Sequence, residues 1–167
     1  MDSHALLAEL PRLRRYARAL VGERAAADDL LQDTLERAWA NARQWRGGSE
    51  LRAWLFSIMH NLRVDQLRRA GPSMVPYEGE ETLPAGRETA SDGSGMLDLE
   101  AALARLPEDQ RAVLLLVTLE DMRYEDVAET LGIPAGTVMS RLSRARERLR
   151  LLLDAQPNSS PTLRVVR

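Results

Sequence analysis

The chain has 167 residues, 44% of them hydrophobic, a composition that supports packed cores and excludes a wholly disordered protein. At that length one domain or two small ones are both open. The formal charge of −2 is the difference between 23 basic and 25 acidic residues, and this near balance hides an uneven distribution along the chain.

Residues 1–71 hold 12 Arg against 9 acids, a balance of +3, residues 72–100 hold 1 against 7, and residues 101–167 hold 10 against 9. Every basic residue is arginine, which fits a GC-rich coding sequence and also suits bidentate contacts to phosphates and bases. The absence of cysteine excludes disulfides and cysteine-ligated zinc, and the two histidines, His4 and His60, stand far apart with no motif around them. No metal or other cofactor is expected. No apolar run approaches the ~20 residues that span a bilayer, and the N-terminus lacks a basic segment leading into an apolar one, so no membrane insertion and a cytoplasmic location are expected.

In chain order, Pro11 suits the first turn of a helix ending near Val21, with Gly22 as its stop and residues 4–9 as a short preceding turn. A second helix is expected from about Ala26 to Ala42, where Asp28 and Asp29 complement the positive end of the dipole. Its Asp29, Gln32, Asp33 and Glu36 share one polar face, while Ala27, Leu31, Leu35, Ala38 and Trp39 supply the buried side. Taken alone, such an acidic stripe is more often plain solvation. Gly47-Gly48 breaks the chain, and Ser49 caps a third helix running to about Arg69. The run WRGGSELRAWLFSIMHNLRVDQLRR interleaves aromatics with arginines, which suits unstacked bases and a phosphate backbone. Trp54, Leu55, Ile58 and Leu62 have core spacing, and Trp45 is the aromatic least explained by packing.

Pro72 to Gly95 reads PSMVPYEGEETLPAGRETASDGSG, rich in Pro, Gly, Ser and acids and without helical or strand periodicity, so it is expected to be a flexible linker. Fully extended it reaches about 80 Å, and as a coil about 25–30 Å, enough to set two domains one or two DNA turns apart at ~34 Å per turn. Helices are then expected at Met96–Arg105, Pro107–Leu119, Tyr124–Leu131 and Ala135–Leu153, with a disordered tail over residues 156–167. No alternating β-branched stretch competes with these assignments. The expected fold is all-α, with one domain over residues 1–71, a linker over 72–95 and a second domain over 96–155.

The segment YEDVAETLGIPAGTVMSRLSRARERLR has the form of a helix-turn-helix, with Gly132 at the left-handed stop and Pro134 at the entry to the second helix. Val138, Leu142, Ala145, Leu149 and Leu152 make one apolar stripe for packing. Thr137, Ser140, Arg141, Arg144 and Arg148 recur at the same steps on the other side, a face suited to base edges in a major groove. Arg146 and Arg150 lie off that stripe and are expected at phosphates or in solvent.

Two runs carry a resemblance. ADDLLQDTLERAWANARQWRGGSELRAWLFSIMHNLRVDQLRR resembles conserved region 2 of extracytoplasmic-function RNA polymerase sigma factors, and LARLPEDQRAVLLLVTLEDMRYEDVAETLGIPAGTVMSRLSRARERL is similar to their region 4. The resemblance covers nearly the whole chain outside the linker and tail, in the family's order. It implies that Asp29, Gln32, Asp33 and Glu36 dock on the clamp helices of the largest subunit of core RNA polymerase. It also implies that Asn41, Trp45 and Asn61 lie where the minus 10 strand of promoter DNA is opened and a flipped base is held, with Arg52, Arg63, Arg68 and Arg69 on the strand's phosphates. Ser140, Arg141 and Arg144 fall on the minus 35 element, as the stripe suggests independently, while Met139 departs from a commonly basic position, where one DNA contact is either missing or replaced by an apolar one to a thymine methyl. The family's linker threads channels built for nucleic acid, which makes Glu78, Glu80, Glu81, Glu88 and Asp92 candidates for a crude RNA mimic, with incidental acids as the equal alternative. An anti-sigma factor is a further implied partner. Two rival readings are an ordinary helix-turn-helix regulator that acts without polymerase, and a sigma-like decoy that occupies an anti-sigma protein.

Overall fold

The computed structural model describes residues 2–45, 50–71 and 94–155. The tail, the cap expected at Ser49, the linker over residues 72–93 and its five named acids lie outside the described residues. Among those described there are seven α-helices and no strand: α1 (Ser3–Val21), α2 (Arg24–Ala40), α3 (Leu51–Arg69), α4 (Ser94–Ala104), α5 (Glu108–Thr118), α6 (Tyr124–Leu131) and α7 (Ala135–Asp154).

The N-terminal helix is one piece rather than a turn followed by a helix, because Pro11 sits inside α1 instead of opening it. Pro11 and Leu7, one turn apart, are both exposed, so the carbonyl that loses its amide partner lies on the side where water can replace it. Asp2 caps this longer helix, accepting from the His4 amide at 3.0 Å. The start of α2 is also earlier than expected. Glu23 accepts from the amides of Ala25 and Ala26 at 2.9 and 2.7 Å, so a glutamate closes the end that Asp28 and Asp29 were expected to complement. The core side of α2 is Ala27, Leu30, Leu31, Thr34 and Ala38. Trp39, expected inside, is 59% exposed, and the buried Thr34 donates its hydroxyl to the Leu30 carbonyl at 2.7 Å. In α3 the fully buried residues are Leu55, Phe56 and Met59, with Trp54, Ile58 and Leu62 packed partly buried around them. The ring of Phe56 meets Tyr16 of α1 edge-on, with centroids 5.0 Å apart.

In the second half, α4 starts at Ser94, before the expected Met96, and α6 runs over the expected residues. Gly132 ends α6 at φ 65, ψ 38, and the Ile133 amide closes back on the Ala128 carbonyl at 3.0 Å, a Schellman end. Pro134 then precedes α7, whose Val138, Leu142 and Ala145 are buried with Leu149 and Leu152 packed beside them. The expected apolar stripe is the observed one.

The two halves share one continuous hydrophobic core, with α1 against α4 and α5 and α3 against α6. Polar groups reinforce this seam. Arg111 of α5 donates to the carbonyls of Leu103 and Ala104 at the end of α4, to Leu106 in the turn that follows, and also to Leu20 at the end of α1. Beyond α5 the chain turns through Asp121 at φ 53, a left-handed position that Asp tolerates. Next to it the Glu120 side chain is fully buried against α1.

Candidate nucleic-acid interface

On α2, Asp29, Gln32, Asp33 and Glu36 all stand exposed on one face, and Gln32 donates to Glu36 at 3.0 Å. The face is preformed, because the opposite side of the helix is locked into the core. It continues into a groove between α2 and α3, lined by Asp33, Glu36, Arg37, Asp65 and Arg69. Arg69 therefore lies beside the acidic face as well as at the end of α3.

Asn41 caps α2, donating its side-chain amide to the Arg37 carbonyl at 2.9 Å, and Trp45 follows partly buried. Along α3 the expected strand-binding residues divide between two faces. Asn61 and Arg68, seven residues or about two turns apart, are both exposed on one face. Arg52 and Arg63, about three turns apart, share the opposite face and are held by carboxylates. Arg52 bonds Glu9 of α1 at 3.1 Å, and Arg63 bonds both oxygens of Glu108 of α5. The resemblance names these arginines but not their acidic partners, which lie more than 40 residues away.

On α7, Ser140, Arg144 and Arg148 are exposed, while Thr137 and Arg141 are partly buried. Ser140 donates to the Thr137 carbonyl at 3.1 Å, leaving its lone pairs outward, and Arg141 lies 3.5 Å from Asp109. Met139 is 51% exposed beside Ser140. Arg150, off the stripe, pairs along the helix with Glu147 at 2.9 Å and Asp154 at 3.1 Å, and the Arg150 bond holds the Glu147 carboxyl below the usual range. The outward face is thus a short-polar and arginine strip on a helix whose other side is anchored in the core. Among the described residues no group of His, Cys, Asp or Glu could hold a metal ion, and no helix is long and apolar enough to cross a membrane.

Two family models match separate parts of the chain. Residues 6–60 match the family described as the sigma2 domain of PhyR, and residues 96–149 match sigma-70 region 4. The chain is similar to the ECF RNA polymerase sigma factor EcfG of Rhodopseudomonas palustris (strain TIE-1), 39% identical over 151 residues that cover 89% of this chain and 82% of that protein. It is 37% identical over 142 residues to the ECF RNA polymerase sigma factor SigM of Mycobacterium tuberculosis (strain ATCC 25618 / H37Rv), covering 84% and 71% of the two chains. Among solved structures it resembles the sigma factor RpoE of Bartonella quintana in complex with the anti-sigma factor NepR, at a TM-score of 0.72 and 36% identity, covering 91% of this chain and 96% of that one.

Proposed function

The chain belongs to the extracytoplasmic-function RNA polymerase sigma factors, and we propose that its two helical units divide the work of promoter recognition between them. A member of this family binds core RNA polymerase and directs it to start transcription at particular promoters. In this reading residues 1–71 are the unit that docks on polymerase and captures the opened minus 10 strand. Residues 94–155, which begin with α4, read the minus 35 duplex, 72–93 tether the two, and 156–167 are a tail.

The polymerase contact is assigned to Asp29, Gln32, Asp33 and Glu36, an acidic face suited to a basic coiled coil. Asn41, Trp45 and Asn61 take unstacked bases, with Arg52, Arg63, Arg68 and Arg69 on phosphates. Thr137, Ser140, Arg141, Arg144 and Arg148 contact the minus 35 duplex. Free energy for strand opening comes from binding bases and phosphates, so the chain needs no catalysis of its own and acts in the cytoplasm. An anti-sigma protein is a fitting partner, since the Bartonella relative was solved with one.

The observation that carries this reading is the exposed Ser140, Arg144 and Arg148 strip on a helix anchored by Val138, Leu142 and Ala145. Run-off transcription with core polymerase on a genomic promoter library tests it, and the expected result is transcripts that share a two-part upstream motif. A gel shift with and without core enzyme separates it from an independent regulator, which would bind a palindromic site alone. The match of residues 6–60 to the sigma2 domain of PhyR favours a decoy as the second reading, because a Bartonella PhyR solved with NepR is an anti-anti-sigma factor. A decoy would bind an anti-sigma protein and give no run-off transcript.

A further inference from the structure

We propose that Glu108 and Glu120 form an electrostatic latch that closes the two units on each other and occupies a strand-binding arginine, so that closure and capture of the minus 10 strand exclude each other. The proposal rests on the reading of Arg63 given above.

Three arginines of the first unit cross the seam to two carboxylates of the second. Arg63 presents Nε and Nη2 to the two oxygens of Glu108, the second bond being 3.2 Å, and the paired side chains are only 21% and 23% exposed. This fork is the geometry with which a guanidinium takes a phosphate, so Glu108 fills the site that a strand phosphate would fill. One guanidinium edge cannot hold both.

Glu120 makes the closed state readily reversible. Its Oε1 accepts from Arg15 Nη2 at 3.0 Å, but Oε2 is buried without a hydrogen-bond donor, and Arg12 Nη1 stays 3.7 Å away. Arg15 also donates to the Leu119 carbonyl at 3.2 Å. Burying a carboxylate incurs a desolvation cost comparable to the attraction it gains, and here one oxygen has the Arg12 cation nearby but no hydrogen bond. Opening the seam returns that oxygen to water. The outer ends of Arg12 and Arg15 are about half exposed, so added salt weakens the attraction from that side. A polyanion that competes for Arg63 therefore weakens the polar part of a seam whose remaining hold is the shared apolar core.

The absence of cysteine allows dye pairs at single introduced positions. With Ala25→Cys and Ala155→Cys, both exposed and outside the assigned contacts, energy transfer in the full chain reports closure. In the chain with Glu108 intact, transfer is expected to fall as salt rises from about 50 to 500 mM. Glu108→Gln should lower the closed-to-open ratio at least about 3-fold and strengthen binding of a minus 10 single-stranded oligonucleotide. The swap of Arg63→Glu with Glu108→Arg should restore closure without restoring strand affinity. Transfer that responds neither to salt nor to Glu108→Gln would overturn the latch, and the salt titration holds even if the variant folds poorly. Opening without a gain in strand affinity would overturn the mutual exclusion. Run-off transcription measured in parallel keeps the two readings apart: normal transcripts with unchanged transfer sink the latch alone, while no transcript from any chain sinks the sigma assignment.

Discussion

The ring of Tyr16 on α1 meets Phe56 on α3 at a centroid distance of 5.0 Å and an angle of 74°, an edge-to-face pair in which both side chains are fully buried. This contact ties together the helices that flank the acidic face of α2. Phe56→Ala is expected to lower unfolding free energy by about 3–5 kcal/mol, since the cavity opens in a tightly packed seam. Urea titration followed by circular dichroism measures it, and a loss below about 1 kcal/mol would mean that the site collapses or that the pair matters little.

Gly132 ends α6 with φ 65, and an added Cβ would meet nothing within 4 Å. The cost of Gly132→Ala is then backbone strain alone, about 1–2 kcal/mol, with Gly132→Asn costing less. Thermal unfolding of the two variants should rank them in that order.

Reversing charge at Asp29 and Asp33 together, both exposed, should leave folding intact and weaken binding to core polymerase at least about 10-fold, or ~1.4 kcal/mol. Titration of labelled chain with core enzyme at two salt concentrations reads this directly. Unchanged affinity would move the polymerase contact off this face.

Arg144 is exposed and has no hydrogen bond or ion pair among the described residues, so Arg144→Ala tests the proposed DNA contact without disturbing the packing of α7. We expect a loss of about 1–3 kcal/mol in minus 35 recognition, seen as a lower ratio of transcription from matched over mutated minus 35 elements. The same preference in the variant would remove Arg144 from the reading strip.

His60 on α3 is held below its ordinary 6.5 by partial burial and then by the nearby Arg141 guanidinium, with Glu108 pulling the other way. The fold prefers the neutral ring, so as pH falls through 6.5 the unfolded chain takes up a proton first. Stability then declines until the folded value is reached. His60→Gln should flatten the dependence of unfolding free energy between about pH 7 and 5. An equal slope in the variant would assign the effect to other groups.

Helix positions were largely readable because local rules decide them. The Gly132 stop, the Pro134 entry and the two stripes of α7 all follow from residues within a few turns of one another. The readings that failed needed partners far along the chain or a feel for what water tolerates. Pro11 fits inside α1 only because its side of the helix is solvated, and Trp39 lies outside because Leu30 and Thr34 already fill the core side of α2. The resemblance implies a phosphate contact for Arg63, yet its pairing with Glu108 was not legible, because the two lie 45 residues apart on helices whose meeting no local pattern specifies. Likewise nothing about Glu120 in the sequence marks it for complete burial.

Arg111 spreads its guanidinium over four carbonyls, three from α4 and the turn after it and one, Leu20, from α1. Should the units part, the cation keeps its domestic acceptors and surrenders a single foreign one, which solvent can satisfy. Neither half is left with a stranded charge at this point.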